Sequence, residues 1–200
     1  GFNGGVYGLP LTENFPMLFY RTDVLEELGY TEPPATWDDL INMLPDIQRK
    51  YLEVGLILPS NISSQVFDAG NTFVLLMLQT GQDIYNEDLY TTDYNSMKTT
   101  DIKNVNLTNF MTQDSIRVFE QWTKFYTVFS FDQTFDAFSR FRTGEMPLVV
   151  QPYTFYNQLS VAAPEIKGLW DFTLVPGTKQ ADGTINHAAN SAGSGAVIFN

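Results

Sequence analysis

The sequence predicts an α/β domain, and three observations carry that prediction. Short runs of buried-type residues, such as "MLFYR" (17–21), "VGLILP" (54–59) and "MPLVV" (146–150), have the length of strands. Between them lie longer stretches whose apolar residues recur at helical spacing and whose ends carry capping residues. No internal repeat or low-complexity segment interrupts the alternation, and mixed strands and helices of this kind build layered α/β architecture.

"GVYGLPLT" (5–12) reads as a strand punctuated by Gly8 and Pro10, and "MLFYR" as a second. "TDVLEELGY" fits a short helix capped by Thr22 or Asp23, with Val24, Leu25 and Leu28 inward and Gly29 as its stop. Pro33 and Pro34 force an extended approach to Thr36, a good N-cap, and Asp38 and Asp39 occupy the first turn, where the helix dipole favours them. Leu40, Ile41, Leu44 and Ile47 continue an apolar face, and Pro45 within it predicts a kink or restart near Leu44. "VGLILP" reads as a buried strand, and "NTFVLLMLQTG" as a buried helix ended by Gly81. Residues 82–109 are polar without a sustained period, which predicts a surface excursion. "TQDSIRVFEQWTKFYTVF" is the clearest helix, with Ile116, Phe119, Trp122, Phe125 and Tyr126 on one side. In "DQTFDAFSRFRTGE", Phe135, Phe138 and Phe141 point inward and Gly144 stops the helix. A strand at 146–150, an aromatic-started helix and the strands "LWDFTLVPG" and "GAVIF" complete the chain. The pattern predicts helices at 36–51, 71–80 and 114–127 and a sheet that includes 146–150 and 196–199.

Composition narrows the function. The 200 residues are 44% hydrophobic and 17% charged, which suffices for a core. No run of about 18 apolar residues is present to cross a membrane. Eleven Lys and Arg against 23 Asp and Glu give a net charge of −12, with no basic stripe, so no nucleic-acid partner is expected. The absence of cysteine excludes thiolate metal sites, thiol nucleophiles and disulfides. His187 is the only histidine, which excludes a multi-histidine metal site, and its polar surroundings in "DGTINHAAN" fit a loop residue. No cofactor is expected.

Several motifs have plain structural explanations. Glu26-Glu27 and Asp38-Asp39 sit where helix solvation or capping accounts for them. No G-x-G-x-x-G, P-loop or G-x-S-x-G occurs, and "GSG" (193–195) reads as close backbone packing or turn freedom. "NIS" and "NLT" match the glycosylation acceptor pattern, a triplet common by chance. Asp83, Asn86, Asp88 and Asp93 crowd one loop without the spacing or the glycine of a calcium loop. Trp37, Trp122 and Trp170 read as core. Tyr153, Phe155 and Tyr156 differ, because "QPYTFY" follows a strand end, where α/β ligand crevices form. Rings and amides there suit a neutral polyhydroxylated ligand, the rings covering its C–H faces and the amides bonding its hydroxyls. From these residues alone, ligand contact and core packing stand level.

The order of the pieces resembles family 1 of the bacterial extracellular solute-binding proteins, the maltose-binding-protein-like sugar receptors of ABC importers. "GVYGLPLTENFPMLFYRTDVLEELGYTEPPATWDDL" is similar to that family's strand, ligand loop, "YN-x-D-L" helix and "P-x-T-W-(D/E)-(D/E)-L" helix start. "FRTGEMPLVVQPYTF" resembles its "F-x-x-G-x-A-A-M" passage, and "LVPG" and "SAGSGAVIF" follow in the same order. The likeness covers nearly the whole chain. Arg21 departs from it, standing where the family usually has Asn. The family's upstream lobe-forming segment and helical C-terminal part have no counterpart in the sequence, so the resemblance implies one lobe of a two-lobed periplasmic-binding-protein-type fold, a mixed sheet flanked by helices. It further implies a hinge strand and ligand loop at 1–16 and a ligand-binding lobe at 17–200.

In that family the aromatic after the strand stacks on sugar, which here falls on Tyr153, with Gln151, Phe155 and Tyr156 adjacent. The resemblance also implies ligand contacts from Glu13, Asn14 and Phe15, from Gln65 and Asn71, and from Asn190 and Ser191. The function it implies is non-catalytic capture of an oligosaccharide for ABC transporter permease subunits. It implies a monomer outside the cell or in the periplasm, membrane-anchored through a segment not contained in the sequence. Two alternatives stay open. A glycoside hydrolase needs two carboxylates across the cleft, of which Glu13 is the one placed. A ferric-iron receptor could use Tyr153 and Tyr156 as a ligand pair.

Overall fold

The structure, a computed structural model, describes residues 8–50, 52–55, 72–82, 108–132 and 135–197. At its centre is a mixed four-stranded sheet in the order β3 (Val54–Gly55), β4 (Leu148–Pro152), β2 (Pro16–Arg21), β5 (Trp170–Thr173). Strand β2 runs antiparallel to both β4 and β5, and β3 runs parallel to β4. Because side chains alternate across a strand, the run Leu18-Phe19 in β2 and Leu148-Val149-Val150 in β4 must bury both faces. Leu18, Leu148 and Val150 pack with helices α1 (Thr22–Glu27), α2 (Trp37–Arg49), α3 (Thr72–Gln79) and α4 (Gln113–Thr127). Phe19 and Val149 pack on the other side with α5 (Ala137–Thr143) and α6 (Phe155–Ala162). The layering is helix, sheet, helix, as the sequence predicts.

Two further ribbons are separate from this sheet. Strand β1 (Leu9–Asn14) pairs antiparallel with β8 (Ala192–Ala196), and β6 (Thr178–Lys179) with β7 (Ile185–Asn186). The expectation that 196–199 joins the strand 146–150 is therefore corrected: the C-terminal strand takes β1 as its partner, and residues 198–200 lie outside the described part. The β1–β8 register shifts between Pro10 and Thr12, near the punctuation that Gly8 and Pro10 suggest. Gly193 is required by close approach, since a Cβ there would collide with the Thr12 carbonyl oxygen.

The helix signals hold in most details. Thr36 and Asp39 form a reciprocal capping box at the start of α2. Gly29, Gly81 and Gly144 adopt positive φ where their helices end. Three expectations are corrected. Helix α2 runs unbroken through Pro45; the proline is exposed, so water can meet the carbonyl its ring leaves unpaired, while Leu40, Met43, Leu44 and Ile47 hold the apolar face in place. On α4 the buried stripe is Ser115, Val118 and Phe125 with Trp122 partly buried, whereas Ile116 and Phe119 are 47% and 53% exposed. Bulk misleads there, and spacing by three and four decides. In α1 the N-cap is Arg21, not Thr22 or Asp23, and its side chain makes no capping bond. Phe141 is fully buried, while Phe135 and Phe138 are only partly so.

Two polar clusters lock these layers. The buried Gln79 side chain accepts hydrogen bonds from Trp37 Nε1 (2.7 Å) and Thr178 Oγ1 (2.9 Å) and donates to the Pro176 carbonyl (2.9 Å). Its own backbone carbonyl, near the end of α3, accepts from Gln180 (2.9 Å) and Asn186 (3.2 Å). Thus α2, α3 and the β6–β7 ribbon meet at one amide. Arg21 is also buried; its guanidinium binds both Asp23 oxygens and donates from Nη1 to the Phe141 and Arg142 carbonyls, each at 3.0 Å. Its charge at the C-terminal end of α5 is favourable to that helix. Burial pushes the Asp23 carboxyl up, but hydrogen bonding and charge from Arg21 outweigh it and hold it below the usual range.

Gln79→Ala leaves the Trp37 and Thr178 donors unpaired and opens a void, and is expected to cost about 3 kcal/mol in denaturant unfolding. A loss under about 1 kcal/mol would show that the cluster does not support the fold. For Asp23 the folded pKa is depressed, so its contribution is present above the unfolded value and lost as pH falls through the folded one. The stability gap between the natural chain and Asp23→Asn is therefore expected to be full near neutrality and to shrink in acid, as urea unfolding across pH will record; a gap independent of pH contradicts it.

Candidate functional site

The site begins with two prolines. Pro16 opens β2 opposite Pro152, which closes β4. Neither has an N–H, so this step of the ladder is without amide donors, and the next bond runs from Tyr153 N–H to the Phe15 carbonyl (2.8 Å). The residues before β2 and after β4 thus leave the sheet side by side. This brings together Asn14 and Phe15 with Tyr153, Thr154 and Tyr156, next to Gln151, while Glu13 pairs with Gly193 in the β1–β8 ribbon.

The Phe15 and Tyr153 rings lie 5.4 Å apart at 17° between planes, and Tyr153 and Tyr156 lie 5.9 Å apart at 8°. Three near-parallel rings therefore stand in a row. Phe15 and Tyr156, at its ends, are each 38% exposed, and Tyr153 between them is half-buried. Phe172 of β5 meets both tyrosines edge-on, at 5.6 and 5.7 Å, and Trp170 meets Tyr156 at 5.7 Å. Trp170 and Phe172 support the row from the sheet. Their spacing of two in a strand is the sequence signal that places them on one face.

Phe155 is placed elsewhere. Its ring is 5% exposed and packs edge-on against Phe19 (5.1 Å) and Phe141 (5.8 Å), inside the core. The i, i+4 pair Phe155 and Leu159, both buried, is the signal that separates it from Tyr156 on the outer side of α6. The Asn14 side chain is engaged within the protein: its amide donates to Thr154 Oγ1 and accepts from the Thr154 N–H, each at 3.3 Å. Gln151 lies on the same strand face as Val149, and its side-chain amide has no partner among the described residues. Asn14 pairs with Ala192 in the β1–β8 ribbon, so Ser191, exposed, and Asn190, half-buried, come next to the same end of β1. Gln65 and Asn71 lie outside the described residues, as do the acidic stretch 83–93 and the asparagines of the two glycosylation triplets.

The outer rings of the row reach solvent. Clefts of about 320 Å³, between α2 and the 129–132 segment, and of about 510 Å³, between α2, α4 and β6, include none of its rings. Among the described residues no group of three His, Cys, Asp or Glu is placed to hold a metal ion, and no helix is long and apolar enough to cross a membrane. His187 is half-buried in its loop, its Nδ1 2.8 Å from the Val175 carbonyl, so that nitrogen carries the proton.

The match to the family described as "Bacterial extracellular solute-binding protein" extends over residues 1–200. The chain belongs to that family. Its mixed sheet flanked by helices matches part of two-lobed periplasmic-binding-protein-type structures. It covers 96% of itself and 44% of the sugar-binding protein MalE from Xanthomonas citri, with a TM-score of 0.65 and 20% identity. Against the cyclic alpha-maltosyl-1,6-maltose binding protein from Arthrobacter globiformis, the shares are 99% and 45%, the TM-score 0.66 and the identity 20%. A chitin oligosaccharide binding protein gives a TM-score of 0.64 at 16% identity, over 98% of this chain and 46% of its own. A probable ABC transporter-binding protein of Deinococcus radiodurans is 40% identical over 45 residues, 22% of this chain and 11% of that one. This chain of the solute-binding family thus spans under half the length of these relatives.

Tyr153→Ala removes the middle of the ring row without touching the buried core. Folding stability is expected to fall by about 1–2 kcal/mol, less than for Phe155→Ala at about 3–5 kcal/mol, both read by denaturant unfolding. The reverse order would place Tyr153 in the core.

Proposed function

We propose that this solute-binding protein captures a carbohydrate, and specifically an oligosaccharide, for an ABC importer, without catalysis. The observation that carries the reading is the ring row at the ends of β2 and β4, with the free Gln151 amide beside it. Flat aromatic faces suit the C–H faces of sugar rings, and amides suit their hydroxyls. The sugar- and oligosaccharide-binding proteins that share the fold support the same reading.

In this reading the residues at 1–16 serve as hinge strand and ligand loop, and 17–200 form the ligand-binding lobe. Glu13, Gln151, Tyr153 and Tyr156, with Asn190 and Ser191 from the ribbon, face the sugar, and Gln65 and Asn71 belong to the same set. A second lobe closes over them by hinge motion. The receptor works as a monomer outside the cell or in the periplasm, membrane-anchored, and hands its solute to the permease subunits. Hydrolysis would need a second carboxylate paired with Glu13 across the cleft. Released reducing ends would reveal it, and a visible tyrosinate–iron band would reveal a ferric site.

Screening the full-length natural protein against a saccharide set by thermal shift tests this reading, since a ligand at 100 times its Kd stabilises by about 2.7 kcal/mol. One saccharide series is expected to stabilise it, and calorimetry is expected to show markedly weaker binding by residues 1–200 alone. No response to any saccharide refutes the carbohydrate reading, and equal affinities of the two proteins refute the two-lobed site.

A further inference from the structure

The cleft of about 320 Å³ between α2 and the 129–132 segment lies at the other end of β4 from the ring row. Val54, which lines it, pairs with Leu148 where β4 starts, whereas the row stands beyond Pro152 where β4 ends. Its floor is core, since Leu44, Ile47 and Val54 are all buried. Phe129 and Phe131 wall it, with Ser130 between them, the one non-glycine residue of positive φ (59°) among the described residues. A left-handed serine is unfavourable by itself, so the bonds around it must hold it there. Gln48 donates to the Phe129 carbonyl (2.8 Å), and the Phe131 N–H donates to the Phe125 carbonyl (2.9 Å). The Phe131 ring also stacks on Phe125, at 5.4 Å and 1°. The opening is thus held by clamps on both sides of a strained turn. Its volume falls within the range of about 300–1,000 Å³ usual for small-ligand pockets.

The lining also has a sign of charge. Glu53, just before β3, and Asp132 both bind Nη1 of Arg140 on α5, each through a single oxygen, with Asp132 at 2.6 Å. Two carboxylates share one guanidinium, so one negative charge is left over. Glu53 Oε1 and Asp132 Oδ1 have no partner among the described residues, and no Lys or Arg is among the residues that line the cleft. We infer that this cleft is a second binding site, which takes a small organic ammonium ion with an apolar body. The ammonium group stays at the mouth, donating to the two free carboxylate oxygens, and the hydrocarbon enters over Leu44, Ile47 and Val54. The half-buried Phe129 ring adds an aromatic surface beside the cation. An anion of the same shape is repelled by the leftover charge, and a neutral one leaves the carboxylates without a donor. The cleft shares no residue with the ring row, so this site stands independently of the carbohydrate reading.

The test is titration of the full-length natural protein with three probes of one shape, 2-phenylethylammonium chloride, 2-phenylethanol and sodium phenylacetate, read by calorimetry. The ammonium ion is expected to bind about tenfold or more tightly than the alcohol, the margin of a charge-assisted hydrogen bond, and the carboxylate not at all. Glu53→Gln and Asp132→Asn keep an oxygen for Arg140 but remove a charge, and each is expected to lower the preference for the ammonium ion about tenfold. Leu52→Trp fills the cleft, leaves both carboxylates in place, and is expected to abolish binding of the ammonium ion. Tyr153→Ala is expected to leave it unchanged. Thermal unfolding of each variant establishes that the titrated molecules are folded. Equal binding of ammonium ion and alcohol assigns the cleft to a neutral ligand and overturns the inference. Binding that survives Leu52→Trp, or is lost in Tyr153→Ala, places the probe elsewhere and overturns it too. No binding of the ammonium ion leaves the cleft to a side chain of a partner protein or to nothing, and likewise overturns it.

Discussion

The pairing register of β2 with β4 is the constraint on which the remainder depends. Leu18 faces Val150 and Phe19 faces Val149, and all four are buried. Since neighbouring side chains point to opposite faces, a slip of one residue would turn Leu18 toward α5 and α6 and Phe19 toward α2 and α3. Two differently shaped cores, one aliphatic-rich and one aromatic-rich, penalise that slip from both sides. Once the register is set, Pro16 must meet Pro152, and Phe15 must meet Tyr153. The site is thus a by-product of core packing: its rings are aligned by residues that never reach the surface.

The same logic explains the position of the buried polar groups. Arg21, the last residue of β2, ties that strand to the end of α5 through two carbonyls. Through Asp23 it also ties the strand to the first turn of α1. A guanidinium provides five donors in a fixed fork, so one side chain can join three elements where an asparagine reaches fewer. Gln79 does the equivalent at the opposite face. It brings the first turn of α2 and the end of α3 to the 175–180 segment, where a Cβ on Gly177 would collide with Ile185. Both groups are enclosed and hydrogen-bonded, the condition under which buried polar atoms strengthen a fold rather than weaken it.

The layers, the helix caps and the glycine stops were legible in the sequence because each depends on a few adjacent residues. Thr36 with Asp39, and Gly144 after Phe141, are local signals and appear as expected. Which strands pair was not legible for β8, because its partner lies at the other end of the chain and "GAVIF" suits a central strand as well as a ribbon. The α4 face was misread where bulky Ile116 and Phe119 outweighed the small Ser115 and Val118. At the site, the nearness of "TENF" to "QPYTFY" came from family likeness rather than from any local pattern. Phe155 and Tyr156 show the limit most clearly: two adjacent aromatics, one in the core and one in the open, separated only by their phase on a helix.

The contact at Gly193 carries one more consequence. Its α-carbon passes so near the Thr12 carbonyl that no side chain fits, and this occurs one residue along the ribbon from Asn14. Any mutation there would pry β8 from β1, and the displacement would pass to Asn14, to its bond with Thr154 and so to both loops that carry the rings. Position 193 is therefore closed to side chains of any size, although it pairs with the exposed Glu13 and lies two residues from the exposed Ser191. Sequence drift along the ribbon is left to such exposed positions, whose side chains can change size and polarity while the backbone beneath them stays as it is.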